Sequence, residues 1–204
     1  PKSPRIVLQP FADYRKDKSK IGTVRNGFGM ATADVVPTNN VADWFTRAVK
    51  TELENSGYTV LAAPEAGKPF AVLSGQIQNV WCDMYFNYNG EIAFDARLKQ
   101  DGKDILVKHY EGNGSAGVAW GATTESFAQT LALAISSTLK ELIADLDNNV
   151  AAPAAKATPR EYEIPTELPT LEPGFKIVPA EAQRRHGSRG VEGAWRDPYY
   201  RKPV

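Results

Sequence analysis

The stretch KPFAVLSGQIQNVWCDMYFNYNGEIAFDARLKQDGKDILVKHYEGNGSAG, residues Lys68 to Gly117, decides the fold. It holds three runs rich in β-formers: Phe70–Asn87, Glu91–Lys99 and Lys103–Gly112. Asn89-Gly90 and Asp101-Gly102 separate them, and such dipeptides tolerate the positive φ that both central residues of a tight hairpin turn require. In the middle run Ile92, Phe94, Ala96 and Leu98 alternate with Ala93, Asp95, Arg97 and Lys99. That period belongs to a strand with one dry and one wet face. The expectation is an antiparallel meander whose apolar face must be covered by helices.

Two helices on either side of this stretch can supply the cover. Asn40 to Ser56 places Val41, Phe45, Ala48, Val49 and Leu53 on one stripe, with Trp44 beside it. Asn39 or Asn40 is the expected N-cap, Asp43 falls in the positive first turn, and Gly57 fits the left-handed position after the last turn. Thr124 to Leu146 repeats Phe127, Leu131, Ile135, Leu139, Leu142 and Leu146 at spacings of three and four, and Ser126 with Gln129 offers a capping box. Upstream, Ile6–Tyr14 reads as a strand with Pro10 at an edge or bulge, and Tyr58–Ala62 as a returning strand. Ile21–Thr32, with Gly22, Gly27 and Gly29, fits either a glycine-kinked strand or an ordered loop. The expected class is α+β: an antiparallel β-meander sheet with two helices packed on one face, plus an extended Pro-rich C-terminal tail. The folded unit is expected over residues 1–148 and the tail over residues 149–204.

The tail differs in kind from the rest. Eight of the fourteen prolines lie between Pro153 and Pro203, and no hydrophobic period survives among them. Prolines fix φ and remove donors, so an extended chain is expected. Spaced apolar groups (Tyr162, Ile164, Leu168, Leu171) suit an arm that docks better than a solvated spacer. Gly174–Val178 is free of proline and rich in β-formers, and is expected to make a strand-like contact with a sheet edge. Phe175, Ile177 and Val178, with Trp195, Tyr199 and Tyr200 near the end, are the expected partner-binding residues.

Composition narrows the chemistry. Lys+Arg and Asp+Glu balance at 24 each, so no global field draws in nucleic acid or a membrane surface. The C-terminal stretch from Glu181 onward is locally basic, but Glu181, Glu192 and Asp197 dilute it, and no nucleic-acid partner is expected. The single cysteine, Cys82, rules out an internal disulfide and reads as a small buried hydrophobe. No apolar run approaches the ~20 residues that span a bilayer. His109 and His186 stand far apart, so no metal site is expected. Gly112 to Gly117 matches G-x-G-x-x-G, but a dinucleotide site needs the motif to open a helix inside a βαβ unit. The glycines are read instead as relaxing a turn or bulge. Ser115 and Ser126 lack a His/Asp pattern around them. No catalytic residue and no cofactor are expected.

The helix exit Ser56-Gly57-Tyr58-Thr59-Val60 and the last helix closing on Ile143-Ala144-Asp145-Leu146, in this order of elements, resemble the YajG-like family of bacterial envelope lipoproteins. The resemblance spans roughly Arg5 to Asn148. It implies a lipid-anchored protein on the periplasmic side of the outer membrane, an α+β domain and no enzymatic role. The anchor cysteine would precede Pro1, so membrane contact is expected only through a group outside this chain. The resemblance and the tail together suggest a structural or adaptor subunit of an envelope assembly, its partners being other envelope proteins or further copies of itself. The alternative is a small glycan- or peptide-binding module that uses Trp81, Tyr85, Tyr88 and Trp120 as stacking surfaces.

Overall fold

The structure, a computed structural model, describes residues 4–67, 70–117, 121–150 and 174–180. In chain order the elements begin with β1 (Arg5–Leu8), β2 (Ala12–Asp13), β3 (Gly22–Arg25), β4 (Ala31–Pro37), α1 (Val41–Asn55) and β5 (Thr59–Leu61). They continue with β6 (Ala71–Met84), β7 (Tyr88–Gln100), β8 (Lys103–Ala116), α2 (Thr124–Asn149) and β9 (Phe175–Pro179).

Strand β6 is the spine. On one side it pairs antiparallel with β7 along its whole length, and β7 pairs in turn with β8. On its other side three short strands lie end to end, all parallel to it. β1 matches residues 71–73, β2 residues 76–77 and β3 residues 82–84. β5 adds parallel to β1, β4 adds antiparallel to β3, and β9 adds antiparallel to β4. The α+β class with two helices on one apolar face stands, but the sheet is mixed and not a purely antiparallel meander. Alternation within a strand reports which face is buried and says nothing of its direction. Direction follows from the connection, and α1 with β5 forms the crossover that brings the chain back to β6.

The two turn signals part company. Asp101-Gly102 is a two-residue turn between the paired Gln100 and Lys103, with φ of 51° and 76°. Asn89-Gly90 lies inside β7 opposite Asp83 and Cys82, and the chain reverses instead at Tyr85-Phe86-Asn87. The reason is packing. Gly90 faces Gly114 across the β7–β8 ladder, and α2 lies over both. A Cβ on Gly114 would sit 2.4 Å from the Thr130 carbonyl oxygen, and one on Gly112 only 1.9 Å from Thr138 Oγ1. Thus Gly112 and Gly114 do not relax a turn; they continue β8 and let a helix backbone approach it.

The helix ends are mostly as expected. Asn40 Oδ1 accepts the N–H groups of Ala42 and Asp43, and Gly57 follows α1 with φ of 85°. For α2 the cap is Thr123, one turn before the expected capping box, and its Oγ1 accepts the Ser126 N–H at 3.2 Å. The core between sheet and helices centres on Phe11, Phe45 and Phe94, whose ring centroids lie 5.1–5.8 Å apart, with Tyr110 stacked on Phe94. Each such buried ring stabilises by roughly 1.5–3 kcal/mol. Tyr110 Oη donates to Asp145 Oδ2 at 2.8 Å and Lys108 Nζ donates to the same oxygen, pinning α2 to β8. Cys82 is buried, as expected, and burial pushes its thiol up to about 12.

Candidate interaction surface

The edge of the sheet beyond β3 is where the tail meets the domain. β4 buries Ala33, Asp34 and Val35 and would otherwise present its outer backbone groups to any passing strand. β9 covers it, with Phe175 opposite Pro37, Ile177 opposite Val35 and Pro179 opposite Ala33. Its entry is locked by Gly174, whose carbonyl accepts the N–H groups of Thr38 and Asn39. A side chain at Gly174 would press on Asn39, with a Cβ 2.8 Å from Nδ2. Phe175 turns inward to a recess formed by Ile21, Val41, Trp44 and Leu131, and its ring meets Phe127 edge-on at 6.4 Å. On the new outer edge Lys176 and Pro179 are exposed, and both residue types discourage a further strand.

Of the six residues expected to meet a partner, the structure therefore places Phe175, Ile177 and Val178 on the β4 edge of their own chain. Trp195, Tyr199 and Tyr200 lie outside the described residues, as does Trp120. Trp81 is half-buried and Tyr85 partly exposed, but Tyr88 is fully buried and offers no stacking surface. Its ring packs on Phe127, and its hydroxyl donates to the Gly121 carbonyl and accepts the Thr123 N–H, fixing the start of α2.

A second surface was not legible in the sequence. The β3–β4 turn and the β6–β7 loop lie side by side at one end of the sheet. There Phe28 is 89% exposed, Phe86 61%, Met30 59% and Tyr85 38%. The turn is firmly built: Asn26 Oδ1 accepts the N–H groups of Phe28 and Met30, and Gly29 has φ of 80°. Arg25 Nε donates to both Asp83 oxygens at 2.9 and 3.0 Å, and its Nη1 donates to the Gly29 carbonyl. Tyr85 Oη reaches the Gly27 carbonyl and its ring leans on Phe86 at 4.2 Å. The available signal was two phenylalanines set between turn residues, in NGFGM and MYFN.

The sheet face away from the helices carries an open groove of about 810 Å³ lined by Tyr14, Phe70, Val72, Gln76, Arg97 and Val107. Beside it His109 Nδ1 lies 2.6 Å from Asp95 Oδ1 and its Nε2 3.1 Å from Glu111 Oε1. Bonds to these two carboxylates raise the imidazole above its ordinary range, while the same contact with His109 lowers Asp95. Both ring nitrogens face carboxylates on their own and the neighbouring strand, so the group is a cross-strand brace. Among the described residues no cluster of His, Cys, Asp and Glu is set to hold a metal, and no helix is long and apolar enough to cross a membrane.

Among solved structures, an uncharacterized protein shares the fold with a TM-score of 0.51 at 7% identity, over 70% of this chain and 92% of its own. Protein XCC0632 from Xanthomonas campestris gives a TM-score of 0.49 at 16% identity, over 70% of this chain and 82% of its own. Lipoprotein GNA1162 from Neisseria meningitidis gives 0.35 at 14% identity, over 70% and 99%. No curated protein matches the chain. A family model does, across residues 11–149, from the β1–β2 junction to the end of α2: the chain belongs to the family of uncharacterized lipoproteins.

Proposed function

We propose that this protein is a non-enzymatic lipoprotein of YajG-like type, anchored on the periplasmic side of the outer membrane, and that it serves as a structural or adaptor subunit of an envelope assembly. Residues 149–204 are its interaction arm. The observation that carries this reading is β9: a proline-bounded segment of the arm adds a strand to the β4 edge of its own sheet, the mode of contact an arm would also use on a partner. Strand addition binds through backbone hydrogen bonds and takes its specificity from alternate side chains, which is how extended arms join subunits. Family membership supports the lipoprotein part of the reading. The partners are other envelope proteins or further copies of this chain.

The test compares the full chain with one ending at Val150, by light scattering and by capture from envelope extracts. Loss of partners or a change of assembly state on removing the arm is expected. Unchanged partners and an unchanged assembly state would refute the adaptor role. The outer groove favours a second reading, a glycan- or peptide-binding module with Tyr14 as its stacking surface. Saturable oligosaccharide binding that Tyr14→Ala abolishes and arm deletion leaves intact would establish that reading instead.

A further inference from the structure

The tip formed by residues 26–30 and 85–87 is apolar, braced and free of charged residues. An exposed aromatic cluster of this kind on a rigid base marks an interaction site. The register of β9 indicates what it meets. Pro179 stands opposite Ala33, and β9 runs antiparallel to β4, towards the β3–β4 turn. At Ala180 the chain is therefore only a few residues' length from Met30, which directly precedes β4. The segment Glu181–Val204 follows, with Trp195, Tyr199 and Tyr200 in its second half.

We propose that this tip is the seat of the chain's own C-terminal segment 181–204, with Trp195, Tyr199 and Tyr200 packing against Phe28, Met30 and Phe86. This rests on reading the tail as a docking arm and adds where its end lies. An extended chain covers roughly 3 Å per residue, so the fifteen residues from Ala180 to Trp195 reach the tip with slack. The tip residues themselves carry no charge, and the Asp83 carboxylate at their base is already paired with Arg25; the tip accepts the aromatic rings, which lose little entropy on packing. Tethering sets an effective concentration of about millimolar, which favours the chain's own segment over a second copy at micromolar concentration.

The single cysteine makes the test clean. Cys82 is buried with a raised pKa and stays silent to maleimide in the folded protein. Met30→Cys then supplies one reporter thiol at an exposed site. The full-length variant is compared with the same chain carrying Trp195→Ala, Tyr199→Ala and Tyr200→Ala. The tip thiol is expected to react about tenfold more slowly while the three rings are present, independent of protein concentration. Gly27→Cys, at an exposed position where a Cβ meets nothing within 4 Å, repeats the measurement without removing a residue of the seat, and the silence of Cys82 verifies folding in every variant. Equal rates with and without the rings would overturn the proposal. Protection that grows with concentration would overturn it too, assigning the tip to a second copy. Arm-dependent assembly alongside an unprotected thiol would leave the adaptor role standing and remove only this seat.

Discussion

Gly114 of β8 stands directly opposite Gly90 of β7, and both give way to the backbone of α2 at Thr130. The contact leaves no room for a methyl group at Gly114, where a Cβ would meet the Thr130 oxygen at 2.4 Å and the Ala134 nitrogen at 2.5 Å. Gly114→Ala should therefore cost about 1–3 kcal/mol, the usual range for overpacking, because a helix backbone must shift. Gly90→Ala, whose Cβ would lie 3.0 Å from the Thr130 oxygen, should cost less. Urea unfolding of both variants checks the order. A neutral Gly114→Ala would mean that the helix stands farther from the sheet.

Phe175 anchors β9. Phe175→Ala should loosen the strand while leaving the rest of the fold intact, at less than the roughly 3–5 kcal/mol lost with a fully buried ring. The sensitive readout is amide exchange across residues 175–178. Exchange should accelerate there and stay slow in β6 and β7. Unchanged exchange in the variant would show that backbone pairing alone holds the strand.

His109 makes a pH-dependent contribution whose sign is set by its neighbours. Its pKa is raised in the fold, so its stabilisation is present below the unfolded value near 6.5 and is lost as pH rises through the higher folded value. Asp95 is lowered, so its share is lost as pH falls through its folded value. The brace should matter most between about pH 4 and 6.5. At 46% side-chain exposure the effect should stay below about 1 kcal/mol. The gap in unfolding midpoint between the native chain and His109→Asn, followed from pH 5 to 8.5, should narrow with rising pH. A gap that widens would reverse the assignment.

Gly57 follows α1 with φ of 85°, where a Cβ is strained. Gly57→Ala should destabilise by about 1 kcal/mol or more, measured by thermal unfolding. A stabilising result would show that the helix ends differently in solution.

Local signals carried much of this fold. Ile92, Phe94, Ala96 and Leu98 face the core as their alternation requires, the apolar stripes of both helices are buried, and the proline-free run from Gly174 to Val178 forms a strand. What could not be read depends on distant contacts. Asn89-Gly90 carries a strong turn signal, yet the helix starting at Thr124 needs Gly90 within a strand. Tyr88 serves as a stacking surface only in the binding-module alternative, and Phe127 and Gly121 claim its ring and hydroxyl. The parallel pairing of β1, β2 and β3 follows from chain connections that no single segment encodes. The tip was missed because Phe28 and Phe86 sit in separate turns, 58 residues apart, and only the β3–β6 pairing brings those turns together.

The length of β6 also sets a distance. β1 pairs at the Ala71 end of this strand, and the turn bearing Phe86 follows the Met84 end. Thirteen residue steps at ~3.3 Å separate those ends by roughly 40 Å. Whatever holds this protein by its N-terminal side thus carries the aromatic tip on a stiff mast, held a bilayer's thickness away from the point of attachment.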